Sequence, residues 1–231
     1  VRGDAGVKAA GTAAVWARYR PQLEYRREGT SMKMKRLSST LLLTVAALVT
    51  PAFAEIEEVR MGAVGNVRSD HGDIVEGKEG GANVELEFVS NSPDFLNLIG
   101  SPRPYFFGSA ATDEDGVNFG GVGVLWRWEF ADGWAFEPGF GYIIHDGEID
   151  NPYPEGSPEG IAFEADNQLL GSRDLFRSSF ALEREVGDHA GLQLYWEHMS
   201  HGQILDKGRN QGLDYVGLRF LYRFDPDAAR D

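Results

Sequence analysis

Apolar and polar residues alternate along most of the chain beyond residue 55, with a period of two rather than the 3.6 of an amphipathic helix. Trp126, Trp128 and Phe130, for example, alternate with Arg127 and Glu129. A period of two places successive side chains on opposite faces of a β-strand. Six segments show the pattern clearly and two weaker ones bring the predicted strands to eight: residues 82–88, 121–130, 134–144, 176–183, 192–197 and 216–224, then 57–66 and 102–111.

The residue types on the two faces distinguish a membrane barrel from a soluble sandwich. In a sandwich the apolar face would be a packed core and the charged face would be wet. Here the apolar face carries bulky aromatic residues near the strand ends, and the other face carries glycine, glutamate and arginine. This is the lipid-outside, polar-inside pattern of a bacterial outer-membrane barrel. We therefore predict an all-β fold, an eight-stranded antiparallel outer-membrane β-barrel, with Trp126, Trp128, Trp134 and Trp196 on its outside.

The polar face predicts a filled interior. An eight-stranded barrel is just wide enough inside to be filled by side chains. Both signs of charge occur on this face, so we expect ion pairs and no open pore. The predicted inward set is Glu85, Glu87, Glu129, Glu137, Glu183 and Glu197 with Arg60, Arg127, Arg177, Arg219 and Arg223.

The lengths of the connections predict the orientation of the barrel. The turns near residues 131–132 and 186–188 are short, as periplasmic turns are, whereas residues 146–170 form a long connection rich in proline, glycine and acids, as extracellular loops are. With both ends of the barrel domain in the periplasm, the segment 201–213 between the last two strands lies on the outside.

Three consecutive features upstream of the barrel predict a secretory signal peptide over residues 32–54. Met32–Arg36 is positively charged, residues 41–49 form an apolar core too short to span a membrane, and Ala52-Phe53-Ala54 is a cleavage site of the A-x-A type. The mature chain, 55–231, is then the barrel domain with a short C-terminal tail. We interpret residues 1–31 as an over-extended, unstructured N-terminus.

Charge and cysteine content exclude some functions. The formal net charge is −14, and because residues 1–54 are basic, the segment 55–231 holds 13 basic and 33 acidic residues, a net charge of −20. A surface that acidic disfavours nucleic acid, which binds through neutralised phosphates. The chain contains no cysteine, which excludes disulfides and thiolate metal sites.

The candidate chemistry lies where the last two predicted strands meet the outer rim. His198 and Ser200 share a strand face with Leu192, Leu194 and Trp196, and Asp214 has the parity of Val216. Unpaired polar groups facing hydrocarbon are costly, and a hydrogen-bonded Ser–His–Asp triad would remove that cost and activate a nucleophile. A triad facing the outer leaflet implies a lipid substrate. The alternative is that the three residues form no triad and lie at the membrane interface, where lipid headgroups hydrate them. Parity alone leaves this alternative open, because a one-residue slip in strand register reverses the faces.

Other polar clusters point to no cofactor and no metal. The spacing of His198, His201, Asp206 and Asp214 matches no standard metal site. The polar segments Asp113-Glu114-Asp115 and His145-Asp146-Gly147 lie in loops and are typical of solvated turns. We accordingly predict a hydrolase that needs no cofactor.

The sequence resembles the lipid A 3-O-deacylases (PagL type) and related acyloxyacyl hydrolases. The resemblance rests on the motifs Glu197–Gly202 and Asn210–Asp214, with further matches at residues 79–85, 171–177 and 217–224. It implies an outer-membrane barrel that removes an ester-linked acyl chain from lipid A, or lipopolysaccharide. It further implies His198 as general base, Ser200 as nucleophile, Asp214 as orienting acid, and Asn210 with a backbone N–H near Gly202 as oxyanion donors.

Two positions depart from the pattern of the best-known members. Asn follows the serine in those proteins, whereas His201 follows it here, next to the oxyanion region; their triad acid is usually Glu, whereas this chain has Asp214. The alternative function is that of a non-enzymatic small barrel for adhesion or membrane stabilisation. The two motifs favour the enzyme.

Overall fold

The computed structural model describes residues 55–67, 69–70, 73–74, 80–114 and 116–225. The predicted signal peptide and residues 1–31 lie outside the described residues. Nine strands make up the main sheet, and a two-residue ladder joins Ser69–Asp70 to Asp73–Ile74. The strands are β1 Ile56–Asn66, β2 Ala82–Ser90, β3 Arg103–Ala111, β4 Phe119–Leu125, β5 Trp128–Ala131, β6 Trp134–His145, β7 Asp174–Glu185, β8 Ala190–Ser200 and β9 Leu213–Arg223.

The sheet closes on itself as an antiparallel barrel. Its strands follow the order β4-β3-β2-β1-β9-β8-β7-β6-β5, and β4 also pairs with β6. Both β4 and β5 therefore pair with β6 and occupy one position in the wall. The barrel has eight wall positions, which confirms the predicted fold class.

The break between β4 and β5 divides a segment that the sequence predicts as one strand, residues 121–130. At the break, the backbone N–H of Trp126 donates to the carbonyl of Pro138 on β6, at 2.9 Å. An antiparallel hydrogen-bonded pair normally exchanges two such bonds, but proline has no N–H to donate in return. The pairing of β5 with β6 then shifts in register between Glu129 and Ala131. The missing donor gives a physical reason for the interruption.

The outward face of the barrel is apolar along all eight wall positions. Trp128 and Trp134 are exposed, and Trp126 and Trp196 are half-buried. The four tryptophans thus lie on the outside or at its edge, as predicted, and none belongs to the buried core. Other large apolar side chains exposed on strands include Met61, Leu86, Phe106, Val122, Phe140, Ile144, Phe180, Leu194, Leu218 and Phe220.

The interior is filled by an ion-pair network whose arginines also lie against aromatic rings. Arg177 lies at its centre: Nε is 2.5 Å from Glu197 Oε2, Nη1 is 3.1 Å from Glu87 Oε2, and the guanidinium lies 3.7 Å from the centre of the Phe107 ring. Arg219 contacts the other oxygen of Glu87 at 3.2 Å. Such a network fixes the strands relative to one another, because each of these charges is buried against opposite charges from other strands.

The predicted inward set is confirmed except at one position. Glu129 lies on the short strand β5, and its side chain is 48% exposed, although it still pairs with Arg127. Glu58 and Arg103 belong to the network but are absent from the predicted set. A bulge between Ile56 and Glu58 explains the first omission, because an extra residue reverses the parity that a sequence pattern assumes.

Two connections contain helices. The long connection between β6 and β7 includes α1, Pro158–Asp166, which begins at an N-cap: Ser157 Oγ accepts from the N–H of Gly160. A 3-10 helix, Asp94–Ile99, lies between β2 and β3. No helix among the described residues is long and apolar enough to cross a membrane.

Candidate active site

His198 and Asp214 face each other across the last two strands of the barrel. They are direct partners in the antiparallel register of β8 and β9. The imidazole Nδ1 lies 3.0 Å from Asp214 Oδ1. The alternation of both strands places these two side chains on the outward face, while their neighbours Glu197 and Tyr215 point into the barrel and are buried.

Ser200 completes a hydrogen-bonded row on the same face. Its Oγ lies 3.1 Å from the other imidazole nitrogen, His198 Nε2. A carboxylate only accepts hydrogen bonds, so the contact with Asp214 assigns the ring hydrogen to Nδ1 and leaves Nε2 free to accept from the serine hydroxyl. The side chains of His198 and Asp214 are 39% and 30% exposed. The row is therefore half-buried yet accessible from outside.

Gly212 packs against the imidazole. Its φ is +44°, in the left-handed region, and a Cβ atom placed on it would lie 3.0 Å from Cε1 of His198 and 3.0 Å from the carbonyl oxygen of Met199. Glycine adopts this conformation without strain, whereas a larger residue would press against the imidazole ring. The loop that precedes β9 therefore packs directly against the imidazole ring.

Aromatic rings extend from the imidazole down the outward face. The Trp196 ring is stacked on that of His198, with ring centres 6.4 Å apart and planes 18° apart. Phe180 is stacked on Trp196 at 5.5 Å, and Phe136 on Phe180 at 5.8 Å. The hydrogen-bonded row thus lies at one end of an apolar, aromatic surface, beside the 201–212 loop.

His201 and Asn210 shape the loop beside this row. The His201 side chain is fully buried: its Nε2 lies 2.7 Å from the carbonyl of Arg209, and its Nδ1 accepts from the N–H of Gln203. Its backbone N–H donates to Asn210 Oδ1 at 3.1 Å. The ring of His201 is thus engaged in holding the loop rather than facing the hydroxyl of Ser200. This bond uses the amide oxygen of Asn210 and not its nitrogen. Gly202, next to His201, is exposed and has a φ of +60°.

Part of the long connection between β6 and β7 contacts the loop that precedes β9. The side-chain amide of Gln168, which is fully buried, donates to the carbonyls of Gln211 and Gly212, and Gln211 Oε1 accepts from the N–H of Leu169 at 2.6 Å. Sequence reasoning missed this contribution. Gln211 lies inside the Asn210–Asp214 motif, which singles it out, but nothing in the sequence distinguishes Gln168.

The remaining polar clusters have local partners. Asp146 accepts from the backbone and side chain of Asn118, and Asp206 accepts from the N–H of Lys207. His145 Nε2 lies 2.7 Å from the carbonyl of Ser172. No group of three or more histidine, aspartate or glutamate side chains within the described part of the chain could hold a metal ion.

The family model for lipid A 3-O-deacylases (PagL) matches residues 81–223, which is more than half of the chain. The chain belongs to the PagL family. The matched segment contains both strands that carry the hydrogen-bonded row. Membership locates the protein in the outer membrane, so its outward apolar face is in contact with lipid, and it implies lipid A deacylase activity.

Solved structures give more distant similarities. The crystal structure of the outer membrane enzyme PagL is 15% identical, covers 71% of this chain and 97% of its own, and superposes with a TM-score of 0.48. The Yersinia pestis outer membrane protein Ail, determined in a phospholipid bilayer nanodisc, is 8% identical, with coverages of 74% and 99% and a TM-score of 0.41. No curated protein matches the chain.

Proposed function

We propose that the protein is a serine esterase of the outer leaflet, which hydrolyses the ester-linked 3-O-acyl chain of lipid A through Ser200, His198 and Asp214. The 3-O position is the one from which the family is named to remove the acyl chain. One observation carries the residue assignment: His198 lies within hydrogen-bond distance of Asp214 at 3.0 Å and of Ser200 at 3.1 Å, on the face that contacts lipid.

In the proposed mechanism, the Oγ of Ser200 attacks the ester carbonyl carbon while His198 Nε2 takes the hydroxyl proton. Asp214 holds the imidazole through Nδ1 and stabilises the imidazolium that forms. The tetrahedral intermediate collapses with cleavage of the bond between the carbonyl carbon and the sugar oxygen, and His198 gives its proton to that oxygen. Water, activated by His198, then attacks the acyl-serine and releases the fatty acid.

The negative charge on the intermediate requires hydrogen-bond donors. We assign this role to the side-chain amide of Asn210 and a backbone N–H near Gly202. In support, Asn210 Oδ1 is occupied by the N–H of His201, which orients the amide so that its nitrogen is free to act as the donor. His201 then acts as a positioning residue, because it holds the loop that carries both donors. Removal of one oxyanion donor in other hydrolases lowers kcat by about 10²–10³-fold.

The departure from Glu to Asp at position 214 is compatible with this proposal. An aspartate is shorter by one methylene, so it needs a close partner. Asp214 is directly opposite His198 in the register, where cross-strand Cβ atoms are about 4.5–5.5 Å apart. The short side chain therefore reaches Nδ1 without displacing either strand.

The test is mass spectrometry of lipid A after incubation with the purified protein in mixed micelles. We expect wild-type protein to release one ester-linked acyl chain, and Ser200→Ala, folded to the same extent, to release none. A wild-type protein that leaves lipid A intact would favour the non-enzymatic barrel. Full activity in Ser200→Ala would leave the family activity in place but remove the proposed nucleophile.

A further inference from the structure

The connection between β2 and β3 is longer than a turn requires. It lies at the same end of the barrel as the Asp132–Gly133 turn and the connection at residues 186–189, both of which are short. Residues 91–102 form it, and they include the 3-10 helix Asp94–Ile99. Turns at the periplasmic end of outer-membrane barrels are characteristically short. The additional residues therefore call for a separate explanation.

The 3-10 helix has two apolar edges and only one polar edge. Three residues make one turn, so residues i and i+3 lie above one another and the helix has three edges. Asp94 and Asn97 form one polar edge. The other two edges are apolar, and they consist of Phe95 with Leu98 and Leu96 with Ile99.

The apolar edges are uncovered in the folded chain. No residue of the helix is buried, and Phe95 is 65%, Leu98 95% and Ile99 59% exposed. A short helix with its apolar side chains in water would be costly, because each loses the benefit of burial.

The helix is fastened to the outside of the barrel wall. The indole N–H of Trp126 donates to the carbonyl of Ile99 at 2.9 Å, and the indole packs against Gly100. Trp126 has the outward parity of Val122 and Trp128. Gly100 and Ser101, with φ of +88° and +51°, turn the chain sharply between the helix and β3.

We propose that this 3-10 helix is an interfacial anchor, whose apolar edges insert into the periplasmic leaflet beside the barrel. Trp126, which holds the helix, is followed on the outward face by the aromatic residues Trp128 and Phe130 of β5, which are 55% and 62% exposed. Residues 91–102 contain an aspartate but no lysine or arginine. The attraction is therefore to the apolar part of the membrane and does not depend on anionic lipid.

The absence of cysteine allows a clean labelling experiment. Leu98→Cys places a single thiol on an apolar edge, Asp94→Cys places one on the polar edge, and Asp188→Cys places one in a short turn at the same end of the barrel. Each full-length variant is labelled with an environment-sensitive fluorophore and reconstituted into phosphatidylcholine vesicles. Quenching is measured with phosphatidylcholine brominated on its acyl chains and with iodide on both sides of the membrane.

We expect brominated lipid to lower the fluorescence at position 98 by half or more, with little quenching by iodide. Labels at positions 94 and 188 should show the reverse. Adding phosphatidylglycerol should change neither result. A label at position 98 that iodide quenches as strongly as the label at position 188 would overturn the proposal, because it would show that the apolar edges are exposed to water. The proposal would also be overturned if the label were protected only at protein concentrations where cross-linking detects dimers.

Discussion

His198 and Asp214 are register partners on neighbouring antiparallel strands, and their side chains meet at 3.0 Å on the outward face of the barrel. The hydrogen-bonding ladder that holds β8 to β9 therefore also fixes the distance between the imidazole and the carboxylate, which are the base and the acid of the proposed triad. Here the geometry depends on the register of two strands, which the buried residues on their inner faces maintain.

Asp214→Asn should abolish most of the activity without unfolding the barrel. An amide can donate to Nδ1, which stabilises the imidazole tautomer with its hydrogen on Nε2, where it cannot accept the serine proton. The equivalent change in a serine protease triad lowers kcat by about 10⁴-fold. The measurement is kcat for release of an acyl chain from lipid A in micelles.

Asp214→Glu is the matched variant, since it keeps the charge and restores the residue type usual in the family. We expect it to retain far more activity than Asp214→Asn. The different electrophoretic mobility of folded and heated barrel provides the control for folding. Equal losses in the two variants would argue against an orienting carboxylate at this position.

Arg177→Met should destabilise the barrel far more than it affects turnover by the folded fraction. It leaves Glu87 and Glu197 buried with fewer partners, and removing one member of a buried ion pair costs about 3–5 kcal/mol. The free energy of unfolding in guanidinium chloride, measured in detergent micelles, is the readout. Lys207→Met, in an exposed loop, is the control and should leave it unchanged. An unfolding midpoint unaltered by Arg177→Met would mean that the buried network contributes little.

The barrel could be predicted from sequence because its two faces differ in residue type at every second position. The alternation in β8 assigns Leu192, Leu194 and Trp196 outward and Gln193 and Tyr195 inward, as the structure has them. Because parity continues along a strand, it also places His198 and Ser200 on the outward face. The juxtaposition of His198 with Asp214, however, depends on cross-strand register, which parity alone does not give.

Features that break the period were not predictable. Pro138 interrupts the pairing of a neighbouring strand, the bulge at Glu58 adds one residue, and α1 lies within a segment predicted only as a long loop. The contacts of Gln168 with the loop before β9 join residues more than forty positions apart. Each feature depends on contacts between segments distant in the sequence, which a local pattern of apolar and polar residues does not show.

His201→Phe should lower activity by less than Ser200→Ala does. Phenylalanine fills the buried space but can neither donate to the Arg209 carbonyl nor accept from the Gln203 N–H, and each lost hydrogen bond costs about 0.5–1.5 kcal/mol. The lost stability is that of the 201–212 loop and not that of the barrel. Limited proteolysis should therefore cut this segment faster, while the unfolding midpoint stays close to that of the wild type. Activity abolished as fully as in Ser200→Ala would instead indicate a direct part in the reaction.

Gly212→Ala should lower kcat while the barrel remains folded. The new methyl group would lie 3.0 Å from His198 Cε1, and the left-handed backbone costs an alanine roughly 1–2 kcal/mol. The imidazole has to move away from the loop, which lengthens its contacts with Ser200 and Asp214. We expect the rate constant for acyl-chain release to fall and the KM for lipid A to change little, since the aromatic surface below the imidazole is untouched.

The control for Gly212→Ala is Gly208→Ala, in the same loop. Gly208 also has a positive φ, +125°, but a Cβ atom there meets nothing within 4 Å. It therefore carries backbone strain without the contact to the imidazole, and we expect its kcat to stay close to the wild-type value. If the two variants lost activity equally, the strain of the loop would account for the effect. If only Gly212→Ala lost activity, the cause would be displacement of the His198 ring, because the proposed chemistry depends on the distances from this ring to Ser200 and Asp214.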